Sequence, residues 1–502
     1  MSTAQRAKGA LGAGMIATAL LLLLAMASSL RAGVAPWESP SASAACGIPV
    51  LAWLLAAGVV LLRRLLATGG PVLAVSRVVV EEGVRRRTGV ACGGLLLVAI
   101  ALLPLALDRG ALLEYRIQSY LTYTLALATF VLSVMTIFLA CGTLSGEIRD
   151  RQIHSVMAKP VPRGLYLLGK WLGIVLLDLL LLLVAGVGIH IFTTLQVRQG
   201  VAAGEDAEVL REGVLIARDS IAPEPEEAFE ARVTQMVDRA RRESPGQISE
   251  DEQRLQARRE LERQWRSIEP GGREVYLFHD LDRGDPARGD PVLRLRGHMW
   301  RRSRSDRVRL DLLLNGVPRP IFLSPDEFFT VPLPAELRGE GRLRLEIVNP
   351  DVEEGESTVT GTVAFPQGDG LEVLVPVGGF TGNLARALII TAIKLGFLAA
   401  LGLMAAGFLG LPVATLLVML VAVSAGLGDY ILPSADALHS HSRGAEADAA
   451  PLRWLEILGV KVILLLERYG SYSPGGLLID GRLIAWGEVG SCLAWIGLLW
   501  SG

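Results

Sequence analysis

The chain has 502 residues, 51% of them hydrophobic, and its 51 Asp and Glu against 49 Lys and Arg leave a formal net charge of −2 at pH 7. No global basic field argues for nucleic acid as a partner. The mean hydropathy of +0.43 averages two populations: apolar runs of membrane length and one long charged block.

A bilayer core takes about 20 apolar residues per helix. Windows at 11–30, 48–62, 90–107, 121–144, 165–192, 387–408, 412–432 and 483–500 qualify, about eight transmembrane helices in all. The first run follows Arg6 and Lys8 and ends in small residues, as a signal peptide does. It is long for one, and another apolar run follows a short loop. It is therefore read as an uncleaved span, with a cleaved signal peptide as the alternative. Cys46, Cys92, Cys141 and Cys492 lie in or beside apolar runs. They offer neither a disulfide framework nor a CxxC metal spacing, and read as small buried hydrophobes.

Orientation follows from Lys and Arg in short loops. Arg6 and Lys8 precede the first run, Arg63, Arg64, Arg77, Arg85, Arg86 and Arg87 follow the second, and Arg149, Arg151, Lys159 and Arg163 follow the fourth. These loops are expected in the cytoplasm. Both termini then face the cytoplasm, and the charged block after Phe192 is exported.

Between the fourth and fifth runs stands LSGEIRDRQIHSVMAKPVPRGLYLLGK, residues 144–170. Ile148, Ile153, Val156 and Met157 recur among charges, so the fourth span can continue as an amphipathic helix at the membrane surface. Pro160 biases Lys159 away from helical dihedrals and stops it, and Pro162 stiffens the turn. A short rigid cytoplasmic knob between two membrane helices results. An ordinary positive-inside loop is the plainer alternative.

The charged block, 193–380, divides in two. Phe229, Val233, Met236, Val237 and Ala240 keep helical spacing, Ser244-Pro245-Gly246 breaks it, and Leu255, Leu261, Trp265 and Ile268 mark a second stripe: a helical hairpin over 222–269. From 272 to 377 the pattern is of strands. Val308, Leu310 and Leu312 alternate with Arg309 and Asp311, Asn315-Gly316 signals a hairpin, and Leu343, Leu345 and Ile347 alternate with Arg344 and Glu346. With the run at 371–375 these strands suggest a small β-sandwich.

Isolated chemistry is sparse. Asp178 and Lys394 lie deep in apolar runs, where charge is costly, so each is a functional candidate. Their depths differ by about 9 Å at ~1.5 Å per residue, which disfavours a direct pair. Interhelical glue and a place on a transport path are both open for them. His190 falls near the outer membrane face. His279 with Asp280 and Asp282, and His439 with His441, are metal candidates without convincing ligand spacing. No nucleophile elbow or paired-acid motif is present.

Glu147-Ile148-Arg149-Asp150-Arg151-Gln152-Ile153, Lys159-Pro160-Val161-Pro162-Arg163 and Gly169-Lys170 closely resemble the cytoplasmic segment of ABC-2 type transporter permeases, "E-I-x-x-x-T-I-x-x-x-x-x-K-P-V-x-R-x-x-x-x-x-G-K", with Gln152 in place of Thr. Residues 73–87 resemble that family's elbow helix, and Gly378-Gly379-Phe380 fits the start of its second half. The resemblance is to permeases grouped with copper-enzyme maturation and gliding-motility systems. It implies two extra N-terminal spans in 1–66, a first permease half in 73–192, the exported block at 193–380 as an insertion, and a second half in 384–502. It further implies a cytoplasmic ABC ATPase subunit docking on Glu147, Arg149, Arg151, Ile153, Lys159, Pro160 and Arg163, and a second permease half, identical or different, in the cytoplasmic membrane. ATP and Mg would be bound by that ATPase: Gly169-Lys170 is followed by Trp171, so this chain has no GxxxxGK(S/T) loop to cradle phosphates. No catalytic, cofactor or metal site is expected here. The reading from another class is a non-transporting membrane scaffold or sensor whose exported β domain binds a ligand or cell-envelope component.

Overall fold

The computed structural model describes residues 18, 39–85, 87–107, 112–151, 162–202, 215–224, 228–243, 257–258, 260–262, 264–299, 307–334, 341–350, 361–366, 368–426 and 474–501. The chain divides into two compact units: Met1–Leu215 with Phe380–Gly502, and Ile216–Gly379. In chain order the helices used below are α1 (Pro40–Ala67), α2 (Pro71–Arg85), α3 (Arg87–Ala106), α4 (Leu113–Arg149), α5 (Arg163–Ala202), α6 (Ala228–Glu243, in the second unit), α7 (Phe380–Phe408), α8 (Leu411–Gly426), α9 (Pro474–Ile479) and α10 (Trp486–Ser501).

Among the described residues, five stretches are long and apolar enough to cross a membrane: Pro40–Leu66, Gly89–Ala106, Leu113–Arg149, Arg163–Val201 and Phe380–Phe408. The expected spans at 412–432 and 483–500 appear as α8 and α10, of 16 residues each. Residues 427–432 of the first of these lie outside the described residues. The window at 11–30 lies outside the described residues except for Thr18. The chain is a polytopic helical membrane protein carrying a β-rich insertion.

Three helices form the centre of the first unit. In α4, α5 and α7, 61% of the most apolar window is buried, against 17% in α1 and 28% in α3. Lipid supplies no hydrophobic drive between helices, so close packing and interhelical hydrogen bonds must hold them. Both are present. A Cβ on Gly402 of α7 would stand 2.7 Å from Ala140 Cβ of α4, and Trp171 Nε1 of α5 donates to the Gly396 carbonyl of α7 at 2.8 Å. At one end of α7 the Phe380 amide donates to the Leu215 carbonyl at 3.1 Å, and His190 of α5 stacks on the Phe380 ring. Asn383, buried, holds the chain after α9 from both sides: its Nδ2 donates to the Arg482 carbonyl at 2.7 Å and its Oδ1 accepts from the Ile484 amide at 2.8 Å.

The second unit is two four-stranded antiparallel sheets, with a three-stranded one beside them. The first sheet orders β1 (Ile216–Ile221), β11 (Leu371–Gly379), β4 (Val292–Leu295) and β8 (Phe329–Pro332). The second orders β3 (Arg273–His279), β9 (Arg342–Val348), β6 (Val308–Leu314) and β7 (Val317–Leu323). The small sheet orders β2 (Ser267–Ile268), β10 (Val363–Ala364) and β5 (His298–Met299). Alternation decides which side chains go inward: Val308, Leu310, Leu312 and Leu314 are buried while Arg309 and Asp311 stand half out. Asn315 (φ 46°) and Gly316 (φ 88°) turn β6 into β7 as a two-residue hairpin. Val373 and Leu293 from one large sheet share a core with Tyr276 and Leu345 from the other, and Val233 and Val237 of α6 join it. Val233 and Val237 of the expected helical stripe are therefore part of this core; 244–256, the breaker region of the expected hairpin, lies outside the described residues.

A buried ion pair ties the first sheet together. Arg294 Nη2 lies 2.6 Å from Glu372 Oε1, their side chains 8% and 0% exposed, and the Ser220 hydroxyl donates to the other carboxylate oxygen. Residues 216–379 contain every strand partner, so expressed alone they should melt cooperatively by circular dichroism. A fragment starting at 272 lacks β1 and β2, the partners of β11 and β10, and should melt at lower temperature. Glu372→Gln strands the Arg294 charge and should cost the 216–379 fragment about 3–5 kcal/mol in urea titration, with much of the loss recovered in the double variant Glu372→Leu/Arg294→Leu.

Candidate coupling site

The ends of α4 and α5 that flank 152–161 are built around one carboxylate. Glu147 stands in the last turn of α4. Tyr166 and Lys170 stand four residues apart on α5, one above the other on the same face. Lys170 Nζ lies 2.8 Å from Glu147 Oε2, the Tyr166 hydroxyl donates to the same oxygen, and the ammonium sits 5.4 Å from the Tyr166 ring centroid. Lys170 is 1% exposed. A buried ammonium demands a partner, and Glu147 supplies it across two helices.

The residues on either side of Lys170 point to the other two neighbours. An α-helix turns about 100° per residue, so three consecutive residues face three directions. Gly169 faces α2: its carbonyl accepts from Ser76 Oγ at 2.8 Å, and a Cβ there would stand 2.9 Å from the Val72 carbonyl oxygen. Lys170 faces α4. Trp171 faces α7 through its bond to Gly396. One level of α5 is thus tied by polar bonds to α2, α4 and α7.

The α2 contact is close because glycine permits it. α2 opens on Pro71 after Gly69-Gly70 and buries Ser76, Val79, Val80 and Gly83, a single helical stripe. Against it α5 sets Gly169, Gly173 and Leu177, every fourth residue. A Cβ on Gly173 would meet the Ser76 carbonyl oxygen and Val79 Cβ at 2.8 Å, and one on Gly83 would meet Leu177 at 2.6 Å. Glycines spaced by four let helix backbones approach in this way.

The residues expected to meet an ATPase separate by direction. Arg149, Arg151 and Arg163 are exposed, Arg149 with its Nε 3.4 Å from the neighbouring Asp150 carboxylate. Glu147 is turned inward. The continuous helix of α4 stops at Arg149. The Asp150 amide still bonds the Gly146 carbonyl, and Arg151 takes φ 57°, a left-handed conformation that ends the helix. Ile153, Lys159 and Pro160 fall in 152–161, outside the described residues. Sequence reading passed over Tyr166, Ser76 and Gly173. The small-residue spacing of Gly169 and Gly173 was the available signal for the last two.

The intramembrane charges are not brought together. Asp178 is buried on α5 and accepts from Thr136 Oγ1 of α4 at 2.8 Å; its other oxygen has no hydrogen-bond partner among the described residues. Lys394 is half-buried on α7. His279 lies 3.7 Å from Glu224, and among the described residues no group of three or more potential metal ligands gathers. His439 and His441 lie outside the described residues.

Gly173→Leu puts a branched side chain where the α2 backbone runs. It should lower thermal stability in detergent by an amount typical of overpacking, about 1–3 kcal/mol, and fluorescence-detected size exclusion after heating measures it; Gly164→Ala, at an exposed position with open space around it, should leave stability unchanged.

Residues 80–206, from the middle of α2 to just beyond α5, match the family model described as ABC-2 family transporter protein. No curated protein and no solved structure matches the chain. The matched segment contains the whole Glu147–Lys170–Tyr166 cluster and three of the five membrane-length helices found among the described residues, and the match supports an ABC-2 type permease, a transport-related membrane subunit.

Proposed function

We propose that the chain is the permease subunit of an ABC-2 type ABC transporter, moving its substrate across the cytoplasmic membrane with ATP hydrolysed, with Mg, on a separate nucleotide-binding chain. One observation carries this reading: the helices on both sides of 152–161 are locked to each other and to α2 and α7 at the level of residues 169–171. A segment mounted on such a base can pass a push into the bundle; a slack loop cannot. In this reading Arg149, Arg151 and Arg163, with Ile153, Lys159 and Pro160, meet the ATPase, and Glu147 keeps the base stiff. A second permease half, of the same or another chain, completes the path. Both termini face the cytoplasm and 193–380 is exported, as the cationic loops argue.

The scaffold or sensor reading draws its support from the 216–379 unit, which has a core of its own. Reversing exposed charges separates the two. Arg149→Glu/Arg151→Glu should leave the bundle folded and weaken co-purification of the ATPase by about tenfold or more, since a desolvated charge contact is worth about 2–5 kcal/mol. ATP turnover in reconstituted membranes should fall with it. Unchanged association and turnover at normal expression would make 144–170 an ordinary positive-inside loop and favour the scaffold.

Topology has its own check. In intact cells Glu269→Cys should react with an impermeant thiol reagent from outside and Ser155→Cys should not. Labelling of both from one side overturns the assigned orientation.

A further inference from the structure

Thr136 of α4 has one hydroxyl proton and stands between two oxygens. Its Oγ1 lies 2.7 Å from the Leu132 carbonyl oxygen and 2.8 Å from Asp178 Oδ2 of α5. Both are ordinary O–H···O lengths, so two protons are called for where threonine has one. With an ionised carboxylate, Thr136 donates to Asp178 and its contact with Leu132 is oxygen against oxygen. With a protonated carboxyl, Asp178 donates to Thr136, Thr136 donates to Leu132, and both contacts are hydrogen bonds. Ser76 Oγ also faces two oxygens, at 2.8 and 3.0 Å, but both are carbonyls with no proton to bring, so it must share its own. A carboxyl is under no such limit.

The surroundings favour the same assignment. Asp178 is 2% exposed, and its Oδ1 has no hydrogen-bond partner among the described residues. An ionised carboxylate asks for several donors and finds one at most; a carboxylic acid asks for one acceptor and finds Thr136. The flanking core residues of α4 and α5, Leu132, Met135, Leu139, Leu177, Leu181 and Leu182, are apolar. Among the described residues no charged side chain acts on Asp178 from the helices packed around α5. On α2, Glu81 is paired with Arg77, Glu82 acts on Tyr166 and Arg85 is exposed. Glu147 of α4 is paired with Lys170. α1, which carries Arg63 and Arg64, packs on Leu180, two residues from Asp178 and so about 200° round α5. Gly89–Ala106 of α3 has no charged residue. On α7, Arg386 bonds the Ile484 carbonyl and Lys394 acts on Cys492 of α10. A divalent cation takes about six or more oxygen ligands; a proton needs only two, and Asp178 and Thr136 supply them.

We propose that Asp178 is a proton-binding site inside the bundle: its carboxyl holds a proton on Oδ2 and donates it to Thr136 Oγ1, whose own hydroxyl proton goes to the Leu132 carbonyl. Bound there, the proton leaves the α4–α5 seam neutral at this depth. It can pass to water only when α4 and α5 part. The proposal does not depend on the transport reading; it would hold for a scaffold as well.

The test is infrared spectroscopy of the full chain in lipid nanodiscs in neutral buffer, read where protonated carboxylic acids absorb, above the amide bands. Subtracting the spectrum of Asp178→Asn from that of the unaltered protein should leave one acid carbonyl band. That band should move to lower frequency when the protein is made with aspartate labelled with heavy carbon. Thr136→Val removes the acceptor of the acid proton and should shift the band, while Thr136→Ser, which keeps a hydroxyl, should leave it in place. A difference spectrum with carboxylate bands and no acid band overturns the proposal. An acid band that Thr136→Val does not move overturns the assignment of the proton to the Thr136 contact. Asparagine keeps a donor for Thr136, so Asp178→Asn should fold; if it does not, the labelled aspartate with the two Thr136 variants decides the question alone.

Discussion

A lysine ammonium that is almost wholly buried must keep a carboxylate beside it, because a lone charge taken out of water costs several kcal/mol. Lys170 is on α5 and Glu147 on α4, so this requirement falls on the spacing between two helices and not on either alone. Parting the helix ends strands the ammonium; pressing them together displaces the Tyr166 hydroxyl that shares the carboxylate. The gap that 152–161 must bridge is set by that three-group contact. Buried ion pairs are weak sources of net stability but strong sources of geometry, since breaking one leaves the other charge uncompensated.

The same level of α5 gathers the remaining neighbours through groups that tolerate little displacement. Gly169 meets α2 backbone to backbone, and the Ser76 hydroxyl that bonds its carbonyl also lies 3.0 Å from the Val72 carbonyl in its own helix. Trp171 reaches the Gly396 carbonyl on α7 with its indole N–H at 2.8 Å. In lipid, where helices gain nothing from leaving an apolar solvent, such contacts decide which helices belong together. The higher burial of α4, α5 and α7 relative to α1 and α3 follows.

Much of the architecture was legible because it rests on periodicity. The apolar runs marked the long helices, and the alternation around Leu310 and Leu345 with Asn315-Gly316 marked the β hairpin and its neighbours. β1 was not legible: Ile-Ala-Arg-Asp-Ser-Ile carries no clean alternation, and its identity as a strand comes from pairing with β11 more than 150 residues later. The motif at 144–170 recorded which residue types occur, but a helix turns about 100° per residue, and motif spacing does not say which way each faces. Glu147 and Arg149 are two residues apart and point in opposite senses, one into the Lys170 contact and one to solvent. Asp178 was legible as a buried charge because its run is otherwise apolar; its partner Thr136 was not, since threonine is unremarkable in a membrane helix.

Lys170 and Asp178 both bond α4, at Glu147 and Thr136, and lie about 12 Å apart along α5 at ~1.5 Å per residue. The α4–α5 seam therefore carries polar ties at two depths. A displacement that slides one helix along the other breaks both ties, and each break leaves a buried polar group without its partner among apolar side chains. A displacement that tilts the pair together breaks neither. With α2 bonded to the same level of α5, the cheapest motion for a force arriving between Arg151 and Arg163 is a common tilt of α2, α4 and α5. The polar ties to α7 are uncharged ones, an indole hydrogen bond at that level and a thiol contact from Cys141 to the Gly402 carbonyl at 3.6 Å. Movement within the bundle should concentrate along that seam, where the ties involve no formal charge and re-form at little cost.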